Sequence, residues 1–69
     1  MPERNPLINY ERWLLVRMVA DGLTQEEIGR ELHVSRSGVN QRLIRLRQRI
    51  GVRTNAELVS KALREGWIK

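Results

Sequence analysis

The amino-acid sequence predicts an all-α domain of four helices. Three observations lead there. Four N-cap residues, Asn9, Thr24, Ser35 and Thr54, each stand directly before a run of helix-forming residues. Apolar residues recur at helical spacing, and no window alternates with the period of two that a strand needs. A chain of 69 residues hides only about 60% of its unfolded surface, which suits one small core. Residues 1–7, with Pro2 and Pro6 disfavouring helix, read as a flexible N-terminal lead, and residues 8–69 as the domain.

Each helix follows from its own signals. Asn9 caps a first helix over Tyr10 to Ala20, with Leu15, Met18 and Val19 on one face and Val16 at its edge. Asp21-Gly22 stops it, since glycine tolerates the left-handed conformation at a helix end. Thr24-Gln25-Glu26-Glu27 is a capping box opening a second helix of about nine residues, with Leu23, Ile28 and Leu32 as its apolar contacts. His33-Val34 is a short turn, and Ser35 a fresh cap. The third helix runs from Arg36 to Ile50, closed by Gly51, with Val39, Leu43, Leu46 and Ile50 in a narrow stripe. Thr54-Asn55-Ala56-Glu57 is a second capping box; its helix runs to about Arg64 and ends at Gly66, with Val59, Ala62 and Leu63 as apolar surface.

Composition narrows the function. The chain carries 13 Lys and Arg against 8 Asp and Glu, a formal net charge of +5, and no Cys. That excess suits a polyanionic partner. From Leu32 to Ala56 there is no acid, while Arg36, Arg42, Arg45, Arg47, Arg49 and Arg53 fall in the same stretch. Without Cys there is neither a disulfide framework nor a thiolate metal site, and the lone His33 lacks carboxylates at ligand spacing. No nucleophile and base stand paired, so neither an enzyme, a cofactor nor a metal is expected. No apolar run approaches a membrane span, and the N-terminus lacks the plan of a signal peptide, which reads as a cytoplasmic protein. Binding to an anionic membrane surface would need a bare apolar face beside the basic one, and the third helix needs its apolar stripe for the core.

A short capped helix, a tight turn and a longer Arg-rich capped helix make a helix-turn-helix. The run Val19 to Ser35, VADGLTQEEIGRELHVS, and the later run Leu43 to Val59, LIRLRQRIGVRTNAELV, resemble the LuxR/GerE-type DNA-binding domain. The likeness covers about residues 8–68. The Arg run of the third helix is also similar to region 4 of bacterial sigma factors, but the Gly51-Val52 ending and the fourth helix favour the LuxR type. The resemblance implies a four-helix fold that binds double-stranded DNA as a homodimer, at least on DNA, often through the fourth helix. It also implies a neighbouring sensor or phosphoreceiver domain; these 69 residues hold none, so a regulator without a fused sensor is expected. Departures from the family pattern are Asn9 with Arg12 in place of Thr with Glu, and Gly38-Val39-Asn40 with Arg42 in place of Thr-Val-Lys with His. Asn40 trades a charge for an amide able to pair bidentately with adenine.

The third helix divides into faces. Opposite its apolar stripe lie Arg36, Ser37, Asn40, Gln41 and Ile44. Asn40 and Gln41 suit adenine, Ile44 a thymine methyl, and Arg36 a guanine or a phosphate, so these four are the expected base readers. Arg42, Arg45 and Arg49 form a second stripe for phosphates; Arg47, nearer the core edge, is assigned there too. Thr24, Gln25, Ser35 and Ser37, at helix N-termini, are expected to bring N–H or hydroxyl groups to phosphates, with plain N-capping the alternative for Thr24 and Ser35. On the fourth helix, Ala56, Leu58, Ala62 and Leu63 are the expected dimer contacts, with Val59 placed in the core. Trp13 and Leu14 fall away from the first helix's apolar face. Either they mark a surface for RNA polymerase or another regulator, or the rings of Trp13 and Trp67 cover the small core, with Leu7 and Ile8 folded over Trp13; the covering reading is preferred. The competing function is accordingly a helix-turn-helix module that binds a regulator or polymerase instead of DNA.

Overall fold

The computed structural model describes residues 5–7 and 9–69. It contains four helices, α1 (Tyr10–Ala20), α2 (Gln25–Leu32), α3 (Arg36–Ile50) and α4 (Asn55–Arg64), and no strand among the described residues. The all-α expectation holds, with the predicted boundaries met within a residue or so.

Local chemistry sets those boundaries. The side chains of Asn9 and Ser35 accept from the third backbone N–H of α1 and α3, those of Arg12 and Gly38. Thr24 and Thr54 open complete capping boxes, in which Glu27 and Glu57 reach back to the cap N–H groups. Gly51, at φ 89°, lets the Gly51 and Val52 N–H groups both return to the Arg47 carbonyl and so ends α3. His33 takes the left-handed conformation, φ 59°, at the end of α2. That leaves one residue, Val34, between it and the Ser35 cap.

Gly29 sets how closely α2 meets the next turn. It is buried, and a Cβ built on it would lie 2.6 Å from the Val34 carbonyl oxygen, too close for any side chain. This approach holds α3 across α2 in the helix-turn-helix arrangement.

The core draws on every helix: Leu15, Val16 and Met18 from α1, Ile28 from α2, Val39, Leu43 and Leu46 from α3, and Leu58 and Ala62 from α4. The chain ends contribute as well. Leu7 is a core residue, its N–H donating to Asn5 Oδ1 at 2.8 Å. Packing therefore begins inside the stretch read as a lead, and residues 1–4 of that lead lie outside the described residues. After Gly66, Trp67 and Ile68 fold back with their N–H groups on the Ala62 carbonyl, Ile68 is buried, and Arg17 donates to the Lys69 carbonyl.

One expectation needs correction here. Leu58 and Ala62, read as dimer contacts, are fully buried within this chain. The arc of α4 that faces α1 and α3 is centred on them, which turns Leu63 outward, 52% exposed, and leaves Val59 at the edge of the core. Trp13 and Leu14, weighed as a partner surface, are half-buried and pack on the core. This agrees with the covering reading, although Ile8, invoked in it, lies outside the described residues. The exposed aromatic is Tyr10, 71% accessible and stacked on Trp13 with ring centroids 6.0 Å apart.

The capping boxes carry a pH prediction. Glu27 is held below its ordinary value of 4.5 by the Thr24 N–H and hydroxyl. Glu57 is lowered by the N–H groups of Arg53 and Thr54, which donate at 2.9 and 3.0 Å. A carboxyl lowered in the folded state stabilises fully above its unfolded value and loses that contribution as pH falls through the lower folded value. Thermal stability should therefore drop in acid below about pH 4.5. Melting curves of a Glu27→Gln/Glu57→Gln variant, which keeps the boxes but not their charge, should show a flatter acid limb than the native chain.

Candidate nucleic-acid interface

The outward side of α3 gathers the expected base readers on one surface. Arg36, Ser37 and Gln41 are exposed, while Asn40 and Ile44 are half-buried against their neighbours. Gln25, at the first position of α2, donates from Nε2 to Asn40 Oδ1 at 3.4 Å. This contact ties the α2 N-terminus to the outward side of α3 and orients the Asn40 amide. Two shallow depressions share Gln25 and Arg36; one is completed by Ser37 and Asn40, the other by Thr24 and Glu26.

The α2 N-terminus supplies backbone polarity at the edge of that surface. The Thr24 hydroxyl accepts from the Glu27 N–H at 3.1 Å, leaving Gln25 and Glu26 as the helix donors without an intrahelical acceptor. Ser35 likewise accepts from the Gly38 N–H at 3.0 Å. Thr24 and Ser35 thus act as caps, and aim the amides of the first turns outward with the positive end of each helix dipole.

The arginines divide into two sets. Arg45 and Arg49 are exposed and Arg42 is half-buried. Together they line the α3 side of a cleft whose α1 side is Glu11 and Arg12, with Leu15 and Leu46 at its base. Arg42 Nε donates to Glu11 Oε1 at 3.3 Å. Arg47 is different: half-buried, it donates to Asn55 Oδ1 at the start of α4. It fastens α3 to α4, which corrects its assignment to phosphates.

Sequence reasoning gives Glu11 and Arg12 no part in the site and does not show the Gln25–Asn40 contact. The acid-free stretch from Leu32 to Ala56 suggests an unopposed positive surface. Folding instead brings Glu11 against Arg42 and Glu26 beside Arg36. The signal for Glu11 is its position one turn before Leu15 on α1, the helix that faces the Arg stripe across the cleft.

No described helix is long and apolar enough to cross a membrane, and no group of three or more metal-ligating side chains occurs among the described residues.

Comparison with known proteins gives a consistent result. Residues 11–62 match the family described as bacterial regulatory proteins, luxR family. The chain is 30% identical over 67 residues to the transcriptional regulatory protein DesR of Bacillus subtilis (strain 168), an alignment covering 97% of this chain and 33% of that protein. The chain thus spans about a third of the length of this curated relative. No solved structure gives a significant match.

Proposed function

Because the chain belongs to the luxR family of bacterial regulatory proteins, we propose that it regulates transcription by binding duplex DNA in a sequence-dependent way. The observation that carries this reading is the surface of α3. It bears no acid along its 15 residues, places Asn40 and Gln41 outward, and sets Arg42, Arg45 and Arg49 along one flank. A major groove admits one helix, and the N-terminal half of α3 is the part clear of the core on its outward side. In this reading Asn40 and Gln41 pair with base edges, Ile44 meets a thymine methyl, and Arg36 reaches a guanine or a phosphate. Arg45, Arg49 and Ser37 meet the backbone, as do the α2 amides beside Thr24 and Gln25 and the α3 amides beside Ser35.

Dimerisation belongs to the same proposal. With Leu58 and Ala62 in the core, the apolar residues left on α4 are Ala56, Val59 and Leu63, which lie three and four apart and so on one stripe. A second copy pairing through this stripe would present two α3 helices to two half-sites of an inverted repeat.

Selection of bound duplexes from a randomised pool tests the function. Enrichment of an inverted repeat supports a dimeric sequence reader, and failure to enrich any motif overturns sequence-dependent binding. Asn40→Ala should cost roughly 1–3 kcal/mol on the selected site and relax the base preference at one position. Arg45→Ala should weaken all sequences alike and flatten the salt dependence. Identical behaviour of the two variants on selected and random DNA would refute this division of roles.

A further inference from the structure

The cleft between α1 and α3 holds four arginines, Arg12, Arg42, Arg45 and Arg49, around one carboxylate, Glu11. We propose that this cleft is a second DNA-backbone site, that Arg12 belongs to it, and that Glu11 is an internal counterion which a phosphate displaces. The proposal rests on the DNA-binding reading above and adds a regulating residue to it.

Three observations support it. The first is position. On a helix of 3.6 residues per turn, Arg42, Arg45 and Arg49 lie roughly 150° around α3 from Asn40 and Ile44. Gln25 of α2 touches Asn40 on the opposite flank. With α3 in a groove, the α2 N-terminus therefore meets one phosphate wall and the α1/α3 cleft the other.

The second is the direction of Arg42. A Cβ built on Gly38 would stand 3.4 Å from Arg42 Nη1. The guanidinium thus runs back over the first turn of α3, the end that carries Arg36 and Ser37.

The third is the ion pair. Arg42 meets Glu11 through Nε at 3.3 Å, and the two side chains are 35% and 55% exposed. Such a pair is weak and open to competition. A carboxylate seated on Arg42 shows which ligand chemistry the cleft accepts: an oxyanion. Its floor, Leu15 and Leu46, is almost fully buried at 2% and 4% exposure, so it offers no apolar anchor to an amphipathic acidic peptide. A phosphodiester needs none. Arg12, which also lines the cleft, donates from Nη1 to the Pro6 carbonyl at 3.3 Å, an anchor that uses one of its five guanidinium N–H groups.

Glu11 then acts against DNA affinity, by occupying Arg42 and by repelling the phosphate. Removing one charge from a backbone site changes the slope of log K against log salt by about 0.9, worth roughly fivefold in affinity near physiological salt. Glu11→Gln should tighten binding to selected and random duplexes alike by about fivefold and steepen the slope by about 0.9. Arg12→Gln should weaken binding and make the slope shallower by similar amounts. Both should melt within a few degrees of the native chain.

The measurement is a fluorescence-anisotropy titration of the chain with labelled duplex between roughly 50 and 200 mM salt. Native affinity and slope in either variant, alongside salt-dependent binding by the native chain, would overturn the cleft assignment and leave DNA binding standing. Weaker binding by Glu11→Gln would also overturn it, since Glu11 would then be holding Arg42 in place for DNA. If the native chain binds no duplex even at low salt, the DNA-binding reading fails and the cleft proposal falls with it.

Discussion

Leu58→Ala should lower the unfolding free energy by about 2–5 kcal/mol, as for other truncations that leave a cavity in a packed core. At about 0.05–0.15 kcal/mol per residue, a domain of this length has a total stability of only several kcal/mol. The variant should therefore be substantially unfolded in mild urea at a concentration where the native chain is folded. Tryptophan fluorescence can follow the transition, since Trp13 and Trp67 both pack against the core. Leu63→Ala is the matched control. Leu63 is 52% exposed, so its truncation should leave urea stability within about 0.5 kcal/mol and weaken only self-association. Were Leu58 a dimer contact, the pattern would invert: Leu58→Ala would shift the sedimentation profile and spare the unfolding curve.

The mistaken phase of α4 shows where sequence reading reaches its limit in this chain. Caps are local. Asn9, Thr24, Ser35, Thr54 and Gly51 each act on atoms within a few residues, so the helix boundaries are written in adjacent letters. The core face of α3 is legible for a related reason: Val39, Leu43, Leu46 and Ile50 are apolar within a stretch that is otherwise almost entirely polar or basic, which leaves one way to turn the helix. On α4 the apolar residues Ala56, Leu58, Val59, Ala62 and Leu63 spread over an arc of about 160°, wide enough to be turned more than one way. Periodicity then permits several faces, and only the placement of α1 and α3 chooses Leu58 and Ala62. α1 has the same ambiguity, with Trp13, Leu14, Leu15 and Val16 in unbroken succession.

At the candidate site the division is similar. The identities on the outer face of α3 follow from one helical wheel. The contacts that tune them join residues 15 and 31 positions apart, Gln25 with Asn40 and Glu11 with Arg42. They depend on how α2 and α1 cross α3, which no local pattern encodes. Arg47 departs from the helical wheel's reading because its partner, Asn55, lies beyond the turn after α3. The acid-free window in the sequence is thus a poorer guide to the local field than the three-dimensional arrangement, which sets Glu11 against Arg42.

Arg42→Glu/Arg45→Glu should reduce affinity for every duplex by a hundredfold or more. Each lost phosphate contact removes about 0.9 from the salt slope, roughly fivefold in affinity near physiological salt, and each reversed charge adds repulsion of comparable size. The fold should survive. Arg45 is exposed and the Arg42–Glu11 pair lies largely at the surface, where an ion pair is worth at most about 1 kcal/mol. An unchanged circular dichroism spectrum with a modest fall in melting temperature would confirm that binding, not folding, is lost. The same variant separates the two functions the sequence allows. A module that binds a regulator or polymerase through the exposed Tyr10 and its stacked neighbour Trp13 on α1 would retain its activity when the α3 flank turns acidic. A DNA reader would lose binding to selected and random duplexes together, because the reversed charges act on the backbone and carry no base information. Retained duplex affinity in a folded Arg42→Glu/Arg45→Glu chain would remove the flank of α3 from the interface, and with it the orientation of α3 on which the base-reading roles of Asn40 and Gln41 depend.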